Sequence, residues 1–431
     1  MPQYAGIDFG TSNCTAGWVQ ANGEPWLTPL DGDNTYLSSA LYIERPQPDD
    51  PDDEDYIAPA LALLLRQQAP VHLGQQAHQR YSQDPLGGVF IRSPKSMLGS
   101  RLTPSQSVVY QQVCGLLLSK IAGQLPQNTE HVVLGRPIHF QGIDGAVGDD
   151  RAEAILRQAA ASAGFRHVEF AYEPVAAAIE YERTLTQEQL VLVVDIGGGT
   201  SDLSMIRLGP ALRQRLDRSS DLLAHAGRRI GGVDMDIKLA IYGLMPLVGR
   251  GSLDQTGKPL PASLFSDAVS IIDIHAQERF YQASTAKELA RLLEISDDPL
   301  KIIRFNKLYR QHLSYELVQQ AERAKIALSS QTSCVVDLSP LEAKLQAELT
   351  ATQLSSALYL ELNGIRKLVE QTLAQAQTRP DAIFITGGAS AIAGLRDLLH
   401  ELLPNVPQIR GDQFGSVGKG LCSIAQRMFG G

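Results

Sequence analysis

Two short segments, separated by about half the chain, follow the same plan. The first is GIDFGTS at residues 6–12 and the second is VDIGGGTS at residues 194–201. Each begins with apolar, strand-like residues that end in an aspartate, and each continues with a glycine turn, Thr-Ser and further β-like residues. A repeat at this separation predicts two related lobes that face each other with a ligand between them.

The residue types in each copy suit phosphate groups and a divalent cation. Asp8 and Asp195 would lie at the carboxyl-terminal edge of a strand, where α/β folds bind ligands. Glycines let backbone N–H groups approach phosphate oxygens, and threonine hydroxyls can donate to the same oxygens. Because Mg²⁺ keeps several waters, two facing aspartates would hold its hydration shell. One Asp-x-Gly turn is common in ordinary hairpins, so the prediction depends on the match between the two copies.

Two better-known phosphate motifs are excluded. The sequence contains no GxxxxGK[ST], so it does not predict a P-loop enzyme. The GGG at 197–199 is followed by β-like residues at 203–206 rather than by a helix, so it does not fit a Rossmann GxGxxG turn either.

The wider pattern alternates strands and helices, which predicts the α/β class. Strand-like segments lie at 4–8, 132–135, 190–195 and 382–386, and helix-like segments at 151–163, 175–182, 313–329 and 355–376. The small residues 176–178 suit a close helix crossing between the lobes, and a further helix would open at Ser390 after the glycines 387–388. The segment 242–299 has weaker signals and supports no chemical prediction. The acidic, proline-interrupted segment 46–55 predicts a solvated loop rather than a cation site.

The composition of the chain indicates which kinds of binding partner and which cellular compartment to expect. The 431 residues are 44% hydrophobic and 20% charged, which is typical of a globular protein, and no apolar run approaches the roughly 20 residues that span a bilayer. A net charge of -9 disfavours a nucleic-acid or anionic-membrane partner. Cys14, Cys114, Cys334 and Cys422 form no CxxC, which predicts reduced thiols. No basic, apolar leader precedes the strand at residue 4, which predicts a cytoplasmic location.

Several segments together resemble one family. DFGTSN at 8–13 and DIGGGTSD at 195–202 resemble the two phosphate motifs of the actin, sugar-kinase and DnaK superfamily. In chain order, YEPVAAA (172–178), RIGGVD (229–234), AERAKIALS (321–329) and ITGGAS (385–390) are similar to motifs of the DnaK-type heat-shock chaperones. The resemblance runs from residue 4 to about 420. It implies a two-lobed actin-like ATPase, with duplicated ribonuclease H-like lobes and a nucleotide cleft between them.

The resemblance also implies a domain plan. Lobe I would comprise residues 1–186, with the C-terminal helix in 407–431 returning to it. Lobe II would comprise 187–406, with a variable subdomain at about 235–320. The helix-like segment 417–428 resembles the last helix of the family's ATPase domain and is followed by three residues, which predicts that no peptide-binding domain is present.

The resemblance to the DnaK-type chaperones also implies which residues form the site. The implied catalytic residues are Lys95 and Glu173, which orient the attacking water, and Asp195 and Thr200. The implied metal residues are Asp8 and Asp195, with Mg²⁺, and K⁺ as a further candidate cation. The implied contacts to ATP or ADP are Gly10, Thr11, Ser12, Asn13, Gly197, Gly198, Gly199, Thr200, Gly231, Gly232, Glu322, Lys325, Ser329, Gly387, Gly388 and Ser390. The family's adenine-stacking arginine has no counterpart at 389–392, which predicts weaker ATP binding than in a full chaperone.

Three functions remain open from the sequence. The first is a chaperone-related ATPase that hydrolyses ATP slowly and whose lobe closure is read by a protein partner or client. The second is a small-molecule kinase on the same fold, which would need a general-base aspartate beside an acceptor hydroxyl. The third is an actin-like filament protein. The Glu-Pro helix at 173–182 favours the first, and neither a nucleic acid nor a membrane is a predicted partner.

Overall fold

Two mixed β-sheets, one from each half of the chain, form the centre of the computed structural model. The structure describes residues 3–44, 69–140, 145–215, 218–388, 390–392, 394–412 and 415–430. The acidic segment 46–55 and Ala389 lie outside these residues. The α/β class and the two-lobed arrangement agree with the sequence prediction.

The first half supplies nine of the described strands and four of the described helices. The strands are β1 (Tyr4–Phe9), β2 (Asn13–Val19), β3 (Pro25–Leu27), β4 (Tyr36–Ser38), β5 (Ala40–Glu44), β6 (Val71–Leu73), β7 (Gly88–Arg92), β8 (His131–Arg136) and β9 (His167–Tyr172). The helices are α1 (Gln75–Gln83), α2 (Pro104–Ala122), α3 (Ala146–Ser162) and α4 (Glu173–Glu182). A short 3-10 turn, Pro94–Met97, follows β7.

Strand β1 is central to the first sheet, whose order is β3-β2-β1-β8-β9 with β4 also paired to β2. It runs antiparallel to β2 and parallel to β8, which in turn is parallel to β9. Ala5, Ile7 and Phe9 are fully buried, as expected for a strand that forms part of a packed core. Strands β5, β6 and β7 form a smaller separate sheet.

The second half supplies the remaining described elements. The strands are β10 (Gln189–Ile196), β11 (Ser201–Leu208), β12 (Leu222–Arg228), β13 (Ser333–Asp337), β14 (Gln346–Thr350), β15 (Ala382–Thr386) and β16 (Gln408–Arg410). The helices are α5 (Gly232–Leu239), α6 (Ala262–Val269), α7 (Ile274–Phe280), α8 (Ala283–Ile295), α9 (Pro299–Arg310), α10 (Ser314–Leu328), α11 (Ala351–Ala357), α12 (Tyr359–Ala376), α13 (Leu395–Leu402) and α14 (Ser416–Phe429). Shorter 3-10 or π segments are Pro210–Leu212, Ser219–Asp221, Ala240–Leu244 and Met245–Val248.

The second sheet repeats the plan of the first. Its order is β12-β11-β10-β15-β16. Strand β10 runs antiparallel to β11 and parallel to β15, as β1 does to β2 and β8. The repeat seen in the sequence therefore corresponds to a repeated sheet, with one copy of the motif at the end of each central strand.

Helices α4 and α14 lie between the two sheets. Their small and apolar residues share one core with β8, β10, β11 and β15, and this core includes Ala177, Val193 and Leu421. The two helices approach so closely that a Cβ at Gly420 would overlap the carbonyl oxygen of Ala176. The alanines of α4 therefore suit the close helix crossing that the sequence predicted. The lobe boundaries at 186 and 406 stay a prediction.

Two predicted helices differ from the structure. The segment 355–376 was predicted as one helix, but it forms α11 and α12, which meet at the buried Leu358. Helix α11 begins earlier, at Ala351, because Thr350 and Gln353 cap it reciprocally. The helix predicted to open at Ser390 begins at Leu395 instead, after Gly394.

The segment 242–299, for which the sequence made no chemical prediction, is mainly helical. Helices α6, α7 and α8 lie in it, and the rings of Phe265, Phe280 and Phe305 stack in its core together with α9. Among the described helices, none combines the length and the apolar character needed to cross a membrane.

Candidate functional site

A cleft of about 1010 Å³, open to solvent, lies where the two halves of the chain meet. Its lining comes from both copies of the repeat and from helices of the second half. The lining residues are Asp8, Gly10, Thr11, Ser12, Asn13, Thr15, Glu173, Asp195, Gly197, Gly198, Thr200, Gly232, Val233, Asp236, Glu322, Lys325, Ile326, Gly387, Gly388 and Val417.

Each copy of the repeat is a hairpin with a four-residue turn. The flanking pairs are Phe9 with Cys14 and Ile196 with Ser201, so the turns span 10–13 and 197–200. The turns touch each other, since a Cβ at Gly198 would overlap the side chain of Ser12. The sequence predicted this face-to-face arrangement from the repeat alone.

Neighbouring segments hold both turns through their carbonyl oxygens. The Ser39 hydroxyl donates to the carbonyl of Gly10 at 2.8 Å. The backbone N–H groups of Gly232 and Val233 donate to the carbonyls of Gly197 and Gly198, both at 2.9 Å. These bonds occupy carbonyl oxygens of the turns, and both turns line the cleft, an arrangement suited to phosphate oxygens.

Asp8 and Asp195 are the next-to-last residues of β1 and β10, two positions before the turns, and both line the cleft. Neither carboxylate accepts a hydrogen bond from the described residues. Burial, followed by the charge of Glu173, raises the pKa of Asp8 to about 7 and the pKa of Asp195 well above its usual value. A partly buried carboxylate and a buried one, neither with a hydrogen-bond donor among the described residues, form a place where a cation would be stabilised.

The residues present fit a hydrated magnesium ion. Within the described part of the chain, no cluster of three or more His, Cys, Asp or Glu side chains is arranged to hold a metal ion directly. Asp8 and Asp195 line the cleft beside the two turns, and these carboxylates would hold Mg²⁺ through its waters, a mode that this ion favours.

Lys95 and Glu173 form a buried ion pair beside the cleft. Lys95 is 4% exposed and lies in the 3-10 turn after Ser93, whose φ is 57°. Burial alone would lower the pKa of Lys95, but Glu173 and Asp8 outweigh it and raise that pKa above its usual value. Glu173 opens α4, directly before Pro174, and lines the cleft itself. The predicted catalytic pair is thus in direct contact, with Glu173 nearer the open space.

Asp202 is an acidic residue of this site that the sequence prediction missed. It lies opposite Asp195 in the β10–β11 register and is 2% exposed. Burial and the charge of Glu173 raise its pKa to about 7, although Thr200 and the backbone N–H of Ile138 donate to it, the latter at 3.1 Å. Its sequence signal was available, since it ends the motif DIGGGTSD.

Helix α10 forms the wall at the other end of the cleft. Glu322 and Lys325, which the resemblance implied as nucleotide contacts, line the cleft, and both have protein partners. Lys325 pairs with Asp236 at 2.6 Å and donates to the carbonyl of Gly232 at 3.1 Å. Glu322 pairs with Arg92 of the first half at 3.2 Å. The sequence prediction missed Asp236 and Arg92 because neither stands in a recognised motif.

Some predicted contact residues lie off the cleft surface. Gly199, Gly231, Ser329 and Ser390 are not among the lining residues. The Ser329 hydroxyl donates to the carbonyl of Lys325 in its own helix at 2.9 Å. Ile326, at the next position of the same helix, lines the cleft instead and is 63% exposed.

Comparisons with known proteins agree with this geometry. A family model described as MreB/Mbl protein matches residues 109–218. A chaperone protein DnaK of Deinococcus deserti is 23% identical over 430 residues, covering 94% of this chain and 56% of the relative. A chaperone protein dnaK3 of Thermosynechococcus vestitus is 25% identical, covering 97% and 54%, and the chloroplastic heat shock 70 kDa protein 7 of Arabidopsis thaliana is 21% identical, covering 94% and 49%.

The chain is similar to DnaK-type chaperones over nearly all of its length and to the MreB/Mbl family over residues 109–218. It spans about half the length of the curated relatives it matches. The activity of this chain is a separate matter, because function depends on the residues of the site.

Proposed function

We propose that this protein binds ATP with Mg²⁺ between its two hairpins and hydrolyses it slowly to ADP and phosphate. The observation that carries the proposal is the pair of matched turns in contact, with Asp8 and Asp195 just before them and the Lys95–Glu173 pair beside them. We further propose that the residues named from the sequence as catalytic residues, metal residues and contacts to ATP have these roles.

Each charged residue of the site would have a separate role in hydrolysis. Bound Mg²⁺ would screen the negative charge of the phosphate oxygens, and Asp8 and Asp195 would hold its waters. Lys95 would stabilise negative charge that develops on the transferred phosphoryl group. Glu173 would orient the attacking water and keep the Lys95 ammonium in place. Thr200 would donate its hydroxyl to a phosphate oxygen.

Helix α4 offers a means to couple the nucleotide to lobe movement. Glu173 at its first turn binds Lys95 of the first half. Glu182 at its last turn is fully buried, pairs with Arg218 at 2.9 Å and accepts from the backbone N–H of Gly209 at 3.0 Å, both in the second half. A rigid helix fixed at its two ends to different lobes would transmit closure of the cleft. We propose that a cytoplasmic protein partner or client reads this change.

The test is single-turnover hydrolysis of ATP with and without Mg²⁺, combined with assays of phosphate transfer to common sugars and small acids. We expect slow, magnesium-dependent release of phosphate to water and, by calorimetry, a micromolar or weaker dissociation constant for ATP. Rapid transfer to an acceptor would instead show a kinase. A rise in light scattering that depends on ATP would point to a filament.

A further inference from the structure

We infer that Ser39 and Ser93 are positioning residues, which set the place of the Lys95 ammonium relative to the first hairpin turn. This inference rests on the proposed function, because it assumes that Lys95 acts on a phosphate held at residues 10–13. Neither serine is among the residues that line the cleft, so neither would touch the nucleotide itself. Both would act through the backbone that connects the two parts of the site.

The two serines lie side by side where two paired strands end. Strands β5 and β7 are antiparallel, and their register includes Ala40 opposite Arg92. Ser39 precedes β5 and leads back to β4, whereas Ser93 follows β7 and opens the 3-10 turn that carries Lys95. The backbone N–H of Ser93 donates to the carbonyl of Ser39 at 2.8 Å. This hydrogen bond joins the segment before Lys95 to the segment beside the first hairpin.

Ser39 is bonded to the first hairpin turn through both of its donors. Its hydroxyl donates to the carbonyl of Gly10 at 2.8 Å, and its backbone N–H donates to the carbonyl of Ser12 at 2.9 Å. Ser39 is fully buried, and a hydrogen bond in such surroundings is stronger than one exposed to water. Because the carbonyl of Ser39 also accepts from Ser93, three hydrogen bonds of one residue connect the hairpin turn with the turn of Lys95.

Ser93 has a backbone conformation that is unusual for its residue type. Its φ of 57° and ψ of 48° lie in the left-handed region, which residues other than glycine rarely adopt. It also directly precedes Pro94, a position where an extended backbone is usual. The Ser93 hydroxyl is buried and has no hydrogen-bond partner among the described residues, so its side chain does not stabilise this conformation. The conformation instead directs the chain into the turn that places Lys95 against Glu173.

The carbonyl of Ser93 fixes the other side of the same turn. It accepts from the hydroxyl of Ser96 at 2.6 Å and from the backbone N–H of Ser96 at 3.0 Å. The backbone around Lys95 is therefore bonded to the hairpin side through the Ser93 N–H and to its own turn through the Ser93 carbonyl. A displacement of about 1 Å in a reacting group can lower a rate by about 100-fold. The two serines would therefore affect turnover although they contact no reacting atom.

The experiment compares Ser93→Thr with Ser93→Gly in single-turnover hydrolysis of ATP by the whole chain. Threonine keeps the hydroxyl but is β-branched and disfavours the left-handed backbone, whereas glycine loses the hydroxyl and adopts that backbone freely. We expect Ser93→Thr to lower turnover by about tenfold to 100-fold while the ATP dissociation constant stays within about threefold. Ser93→Gly should turn over within about threefold of the wild type. Gln377→Thr is the matched control, because Gln377 has a φ of 52° at the exposed end of α12.

A double variant separates positioning from a general loss of stability. In a Lys95→Ala background, Ser93→Thr should lower turnover no further, because the group that it positions is gone. A full additional loss in that background would overturn the inference. Equal turnover of Ser93→Thr and Ser93→Gly would also overturn it. Two normal rates would show that the left-handed backbone is not needed, and two equally low rates would show that the hydroxyl matters instead.

Ser39→Ala is the second variant, and it decides the matter if Ser93→Thr does not fold. It removes the donor to the carbonyl of Gly10 but keeps the backbone bonds, so turnover should fall by about threefold to tenfold, and only where Lys95 is present. Unchanged turnover, or the same fractional loss in the Lys95→Ala background, would overturn the inference. If the wild-type protein releases no phosphate from ATP, the proposed function itself fails. An active wild type with the contrary results overturns the inference alone.

Discussion

The two hairpins share a backbone plan but differ in charge. In the first, Asp8 lies opposite Thr15, and in the second, Asp195 lies opposite Asp202. The equivalent position is therefore neutral in one hairpin and acidic in the other. The first half of the chain supplies the cation Lys95, and the second half supplies the additional carboxylate Asp202.

The surroundings of these opposite residues also differ. Asp202 accepts from the backbone N–H of Ile138, which belongs to the first half, so it links the two lobes. The Thr15 hydroxyl is buried, has no hydrogen-bond partner among the described residues and lies against Gly418 of α14. The two hairpins therefore share the turn and the aspartate before it, and they differ in the charge and the contacts of the opposite residue.

The largest expected effect comes from removing the cation. Lys95→Ala should lower single-turnover hydrolysis on the order of 100-fold and leave ATP affinity nearly unchanged, because Lys95 acts on charge that develops in the transition state. Lys120→Ala is the control, since Lys120 lies on α2 and pairs with Asp31 at 3.0 Å. Turnover equal to that of the control would remove Lys95 from the mechanism.

Folding must be separated from catalysis in this variant. Lys95→Ala leaves Glu173 buried without its partner, and breaking such a pair can cost about 3–5 kcal/mol. The double variant Lys95→Ala/Glu173→Gln leaves no unpaired charge there, so it should melt closer to the wild-type temperature. A double variant that is stable, binds ATP and turns over normally would contradict the role of the pair.

The next effect concerns the two aspartates that precede the turns. Asp8→Asn and Asp195→Asn should each weaken the apparent magnesium affinity of the nucleotide complex by about tenfold, because each removes a charge that favours the hydrated ion. Asp150→Asn, at an exposed position on α3, serves as the control. A magnesium dependence equal to the control would exclude that aspartate from the metal site.

The same variants should change the pH dependence of stability without metal. The pKa of Asp8 rises from 3.8 to about 7 on folding, so the folded state holds this proton more tightly than the unfolded state. The free energy of unfolding therefore falls as pH rises from about 4 to about 7, and Asp8→Asn should remove part of this fall.

A second prediction compares the two aspartates at pH 8. The charge of Asp202 is a further repulsive neighbour of Asp195, so Asp195→Asn should raise the melting temperature more than Asp8→Asn does. The reverse order would contradict the comparison of the hairpins.

The sequence was most informative where local chemistry determines the backbone. The aspartate, glycine and threonine of each motif favour a turn after a strand, so both hairpins could be anticipated, whereas the contact between Lys95 and Glu173 was not predicted. Strand β15 has the predicted bounds, 382–386, because its apolar run is short and ends at glycine.

Contacts between distant segments were harder to predict. Arg92 and Glu322 are 230 positions apart, and their pairing depends on how the lobes close rather than on either local pattern. Asp236 follows Gly232 on α5, and only the packing of α10 shows that it pairs with Lys325. The break at Leu358 was also missed, because α11 and α12 are both good helical sequences on either side of it.

The smallest expected effect concerns the unpartnered hydroxyl of Thr15. Thr15→Val keeps the shape and removes a buried polar group that has no partner, so the free energy of unfolding without ligand should stay within about 1 kcal/mol or rise. Ser204→Ala on β11 is the matched control, since its buried hydroxyl also lacks a partner but lies outside the cleft lining. Urea unfolding at pH 7 measures both variants. A loss of more than about 2 kcal/mol for Thr15→Val alone would show that this hydroxyl is paired in solution. Thr15 of the first hairpin would then be hydrogen-bonded in the folded protein, as Asp202 is in the second hairpin.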